Sequence, residues 1–233
     1  RDIIIVDCGV GFPEEVAFGV DLVIPDFSYV LKNRERVRGI LISHGHEDHF
    51  GALPFLLRDL DVPVYTGKLT AGLIKGKLED HKIRARINAI FPEANTLSLG
   101  AFKIDSFRVT HSVPDSLGFC INTPVGKFFH VSDHKFDWSP VDGKLWDVAK
   151  ATELARGGVL AMASDALGAT SEGYTDSELE IEKAIDHIIQ DARGRVFFTT
   201  ISSNISRMQQ AINASGRNGR KVALYGRSIE QKM

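Results

Sequence analysis

Cysteine is scarce in this chain. Only Cys8 and Cys120 occur among 233 residues. Two cysteines make no disulfide framework in a chain of this size, and reduced thiols in a cytoplasmic protein are the simpler expectation. Long apolar runs are missing too. No stretch approaches the roughly 18 residues needed to cross a bilayer, and no signal-peptide pattern is visible. An excess of charge of one sign is also absent. Lys and Arg number 28, Asp and Glu 30, for a formal net charge of −2. A globally basic nucleic-acid binder is thereby excluded. Any such surface must be a local patch, or draw positive charge from bound metal. There is no repeat and no low-complexity segment.

The remainder reads as a folded α/β (α+β) protein. Apolar runs at Ile3–Val6 and Gly39–Ser43 predict buried strands. Further strands are expected at 62–66, 96–99, 102–109, 118–123 and 127–132, with a buried one at 158–163. Helices are expected over 51–58, 70–81 and 147–155. Beyond about residue 165 the pattern changes to helix 175–192, strand 196–200, helix 206–215 and strand 221–225. That alternation suggests a parallel sheet and places a domain boundary there, with units of 1–168 and 169–233. Both ends of the sequence are abrupt, as expected of part of a longer chain.

The strongest chemical signal is His44-Gly45-His46-Glu47-Asp48-His49. Three of the eight histidines fall within six residues. In an extended loop, residues i and i+2 face the same way, so His44 and His46 are expected to share one metal ion. Asp48 and His49, beyond a turn, are expected to hold a second. Imidazole and carboxylate are the ligands zinc takes in catalytic sites. His111 and Asp133 each follow a predicted strand. His111 is expected to join the first ion, and Asp133 to bridge both, since a dinuclear site needs a shared carboxylate. Asp7 also ends a strand, and is expected to orient a ligand histidine through its other ring nitrogen. His130 and His134 flank Asp133 and by alternation should point elsewhere, into packing or solvent. No role is assigned to His81 or His187, and Cys120 reads as a small core residue.

Other segments narrow the choice. Asp7-Cys8-Gly9-Val10-Gly11-Phe12-Pro13, Gly19 to Asp26, Gly51-Ala52-Leu53-Pro54, Thr110 to Ser116 and Asp133-His134-Lys135-Phe136-Asp137 resemble the ribonuclease J family. That family lies in the β-CASP branch of the metallo-β-lactamase superfamily. Gly194-Arg195-Val196, Ser203-Asn204, Gly219 to Val222 and Gly226-Arg227-Ser228 extend the resemblance to the end of the chain. It implies a four-layered αβ/βα sandwich followed by the start of a β-CASP domain. It also implies two zinc ions, with Mn(2+) or Mg(2+) as substitutes, held by His44, His46, Asp48, His49, His111 and Asp133. Asp48 and Asp133 would position the attacking hydroxide. Single-stranded RNA would be the substrate, cut 5′-to-3′ as an exonuclease and also internally, by a homo-oligomer. Ser203, Asn204 and Arg207 are expected to touch RNA. The extreme N-terminus and the C-terminal half of the family's chain, including one more ligand histidine, would lie outside this sequence.

Three departures stand out. The family's Ser-Asp-Ser-Thr-Asn is Ser164-Asp165-Ala166-Leu167-Gly168 here, its usual Phe at 134 is His134, and its usual His at 206 is Ser206. The histidine loop alone would also suit a thioesterase, a lactonase or a β-lactamase of the same fold, or a metal-binding piece without catalysis.

Overall fold

The computed structural model describes residues 1–13, 18–230 and 232. Its first sheet is parallel. It takes β1 (Ile3–Val6), β2 (Val37–Leu41), β3 (Val64–Thr66) and β4 (Ile87–Ala89), in that order. The helices between them are α1 (Ser28–Lys32), α2 (Glu47–Phe50), α3 (Leu53–Leu56) and α4 (Lys68–Asp80). The second sheet runs β5 (Leu97–Leu99), β6 (Phe102–Arg108), β7 (Leu117–Thr123), β8 (Gly126–Val131) and β9 (Ala161–Ser164). It is antiparallel except for the last pair. Helix α5 (Val148–Ala155) lies outside it, and α6 (Glu178–Asp191), α7 (Ile205–Arg217) and α8 (Arg227–Glu230) follow.

Strand alternation builds the layers, because successive side chains leave a strand on opposite faces. Ile3, Ile5, Ile40, Ile42 and Val64 meet the helical layer around Leu53, Leu56 and Ile74. Their neighbours Ile4, Val6, Leu41 and Tyr65 meet Ile104, Leu117, Phe119 and Ile121 of the second sheet. On that sheet's far side, Phe107, Cys120, Phe129 and Val131 pack on Ala151 of α5. The order helix, sheet, sheet, helix is the expected sandwich.

Several expected elements differ. Of the helix foreseen over 51–58 only the single turn α3 forms, and it stays separate from the preceding turn α2, because Pro54 at the start of α3 has no amide hydrogen to continue a helix from α2. The strand foreseen as buried at 158–163 is β9, and all four of its residues are exposed. It pairs only with β8, as the edge of its sheet. No strand forms at 196–200 or 221–225 among the described residues. Neither segment finds a ladder partner, and Phe197 and Tyr225 lie almost fully exposed. The parallel sheet expected there is therefore not present, while its two helices are. Short β4 was not anticipated, since Ile87-Asn88-Ala89 carries little apolar signal.

Candidate metal centre

The site lies where both sheets end. The chain leaves β2 through Ser43 and His44, and α2 then begins at Glu47. His46 precedes α2 in extended conformation, while Asp48 and His49 sit on its single turn. From the other sheet, β6 leads to His111 and β8 to Asp133.

These side chains converge. One ligand atom from each of His44, His46, His111 and Asp133 lies within 4.8 Å of the others, and the same holds for Asp48, His49 and Asp133. Asp133 belongs to both groups. His44 Nε2 is 3.1 Å and His111 Nε2 3.3 Å from His46 Nδ1. His49 Nε2 is 3.3 Å from Asp133 Oδ1 and 3.6 Å from Asp48 Oδ2.

The hydrogen bonds behind this cluster define its tautomers. Asp7 accepts from the Ser43 amide at 2.8 Å, the Ser43 hydroxyl at 2.9 Å and His49 Nδ1 at 2.9 Å. The Ser43 hydroxyl, having given its proton to Asp7, accepts from Ser132 Oγ at 2.8 Å and from His44 Nδ1 at 3.0 Å. A hydroxyl has one proton and two lone pairs, so this set is complete. It leaves His44 Nε2 bare toward the cluster. His46 is turned the other way, with Nε2 3.3 Å from both the Ser203 carbonyl and Ser112 Oγ. Its Nδ1 faces the cluster.

Electrostatics divide the two groups. Burial pushes His44, His46 and His111 below the usual imidazole range, His111 to about 4, and the other imidazoles add to this at His44. These three are neutral at physiological pH, the form that binds metal. For His49 burial pulls the same way, but hydrogen bonds and charge from Asp133 and Asp7 outweigh it and raise the ring to about 10. Asp133 is held below the ordinary carboxylate range by His49. Burial would raise Asp7, but the nearby His130 and the hydrogen-bonded His49 win and lower it. Three neutral nitrogens with a carboxylate, beside a second group sharing that carboxylate, make a donor set able to bind metal. A zinc-type ion fits it.

The six residues expected as ligands thus come together, and Asp7 lies behind His49 and, through Ser43, behind His44. Ser203 approaches through its carbonyl. Asn204 caps α7 by accepting from the Arg207 amide, and Arg207 pairs with Glu178 at 2.9 Å. His134 packs against Phe136 and Trp146, a fitting place for a ring. Ser206 donates its amide to the Ser112 carbonyl. Sequence reasoning missed Ser43, Ser132 and His130. The two serines precede cluster residues, His44 and Asp133, at strand ends, which is a readable signal. His130 Nε2 lies 3.4 Å from Asp7 Oδ2. It shares a β8 face with Phe128, turned toward the inter-sheet core, so a polar partner was to be expected.

Residues 1–199 match the model of the metallo-beta-lactamase superfamily. The chain belongs to that superfamily. Residues 193–233 match a second model, described as the ribonuclease J beta-CASP domain. Ribonuclease J of Thermus thermophilus is 43% identical over 98% of this chain and 41% of its own length. Ribonuclease J 1 of Streptococcus pyogenes is 42% identical over 99% of this chain and 41% of its own. The chain thus spans about two fifths of these curated relatives. A crystal structure of a protein of unknown function from Enterococcus faecalis shares the metallo-β-lactamase fold, with a TM-score of 0.63 and 17% identity over 90% of this chain and 57% of that one. Among the described residues, no helix is long and apolar enough to cross a membrane.

Proposed function

We propose that this chain is the metal-binding part of a zinc-dependent ribonuclease that hydrolyses phosphodiester bonds of single-stranded RNA. The observation that carries this reading is a junction. The segment similar to the ribonuclease J β-CASP domain lies against the donor cluster, its Ser203 carbonyl 3.3 Å from His46 Nε2.

His44, His46 and His111 would hold one ion, Asp48 and His49 the other, with Asp133 shared. Bound ions supply a water acidified toward neutral pKa and positive charge against the phosphodiester. Asp48 and Asp133 accept hydrogen bonds from the attacking water and aim it. Asp7, directly at His49 and through Ser43 at His44, keeps those ring nitrogens turned inward. In-line attack at phosphorus with loss of the 3′-oxygen leaves a 5′-phosphate. Zinc is favoured over Mn(2+) or Mg(2+) by the imidazole-rich donor set. Exonucleolytic action in the 5′-to-3′ direction, endonucleolytic cuts and homo-oligomerisation of the whole protein rest on the resemblance. Units of 1–168 and 169–233 suit the same reading, since the second sheet closes at Ser164 and α6 and α7 add no strand to it.

The test is a time course on 5′-monophosphorylated RNA, with nitrocefin in parallel. It compares this chain, a chain extended to its relatives' length, and that longer chain with Asp133→Asn. Chelator-sensitive RNA cleavage by the extended chain, lost by at least about a hundredfold in Asp133→Asn, is expected, with little or none from the 233 residues alone. Lactam turnover without RNA cleavage would overturn the proposal.

A further inference from the structure

The three nitrogens of the histidine-rich cluster depend on different backing groups. His44 is held by Ser43 within the first 200 residues. His46 is held so only in part. Its outward nitrogen faces both Ser112 Oγ and the carbonyl of Ser203, 157 residues away in sequence. A backbone carbonyl accepts a hydrogen bond more strongly and with less freedom than a rotating hydroxyl, so it fixes the ring better.

What holds Ser203 there is a compact set of contacts at the start of α7. The Ser206 amide donates to the Ser112 carbonyl at 3.1 Å. Asn204 caps the helix. Ile205 and Met208 bury themselves with Val113, Leu69 and Leu73. Glu178 of α6 closes the set. One carboxylate oxygen takes Arg207 at 2.9 Å and the other takes Lys135 at 3.1 Å. Lys135 stands two residues beyond Asp133. Gln210 donates to the Glu178 carbonyl at 2.8 Å, and Glu178 is itself anchored by its amide to buried Asp137 at 2.8 Å.

We infer that the Ser203–Arg207 turn is a working part of the histidine-rich centre: its docking sets the His46 ring, so metal affinity there and docking of α7 are coupled. Ser203, through its carbonyl, and Glu178, through Arg207 and Lys135, are positioning residues. The inference rests on the metal-centre reading above and deepens it. Coupling between two events is reciprocal in binding equilibria. A weaker dock must therefore weaken metal binding, and bound metal must tighten the dock.

Both directions are measurable without any assay of catalysis. Zinc affinity is read by competition with a chromophoric chelator, for the unmodified chain and for Glu178→Gln, with circular dichroism confirming the fold. Glu178→Gln keeps the shape and removes the charge that Arg207 and Lys135 share. The tighter-binding zinc should be held about tenfold more weakly, within the range for groups that orient ligands. Amide exchange on the unmodified chain supplies the reciprocal test and stands even where the variant does not fold. Zinc should slow exchange at Ser206 and Arg207. Exchange there that is indifferent to zinc overturns the inference, as does equal zinc affinity in a folded variant. An unmodified chain that binds no zinc sinks the metal centre itself, and this inference with it.

Discussion

Asp7 Oδ2 lies 2.9 Å from His49 Nδ1, and Asp7 reaches that position with a left-handed backbone, φ 58°. The same oxygen receives the Ser43 hydroxyl, so one carboxylate backs a histidine in each donor group. Asp7→Ala should lower metal affinity about 10–100-fold, most strongly at the Asp48–His49–Asp133 group, where the contact is direct. Isothermal titration with zinc checks this. Two unaltered binding steps would remove Asp7 from the centre.

Acid should unfold the metal-free chain early. The folded-state pKa values of His44, His46 and His111 are depressed, while unfolded imidazoles titrate near about 6.5. Below that pH the unfolded state binds more protons, and stability falls as pH falls. At one unit below, each fully depressed group costs about 1.4 kcal/mol. His49 has the opposite sign. Its raised pKa adds stability that is complete below about 6.5 and lost as pH rises through about 10, so between about pH 7.5 and 5.5 it works against the three depressed rings and offsets about one of them. The lowered carboxylates Asp7 and Asp133 lose their contribution only below about 4. With chelator present, Tm should drop by roughly 5–10 °C between pH 7.5 and 5.5, and saturating zinc at pH 7.5 should raise it. A flat profile from 7.5 to 5.5 would mean that these rings are not held neutral.

Gly9 is fixed by crowding. A Cβ built on it falls 1.6 Å from the carbonyl oxygen of Asp48. Cys8 and His49 are joined there by a 2.7 Å backbone bond, so neither side yields cheaply. Gly9→Ala should destabilise by about 1–3 kcal/mol and displace the turn carrying Asp48 and His49. Chemical denaturation and zinc stoichiometry read the two effects. A variant as stable as the parent with both ions bound would contradict the close approach.

His44→Ala combined with His46→Ala removes two of three converging nitrogens. The tighter zinc should be lost, leaving at most the weaker one. Metal analysis after dialysis suffices to decide, and unchanged stoichiometry would sink the assignment.

The clustered donor residues were legible because the chemistry is written locally. His44 to His49 sit in one short run, and His111 and Asp133 each follow an apolar strand. The sandwich was legible through the family resemblance, and the structure builds it by alternation, as in β7, where Phe119 and Cys120 bury on opposite sides. What escaped depends on distant partners. Ser43 has meaning only beside Asp7 and Ser132, and His130 only beside Asp7. The segments 196–200 and 221–225 have strand-like residues, but a strand exists only with a neighbour to complete its ladder. Arg207 is expected from sequence to touch RNA, and Glu178 becomes its partner only once α6 and α7 pack.

The Ser43–Ser132 hydrogen bond joins residues 89 apart, just beneath His44 and Asp133 and between two sheets that share no strand pairing. Closing so long a loop carries an entropic cost that a short peptide of the histidine run never meets and never recovers. Such a peptide would offer the same side chains without the enclosure that keeps His44 and His46 neutral and the run aimed. Metal capture by this chain should therefore report on the whole tertiary structure, arriving late in refolding, after both sheets have met.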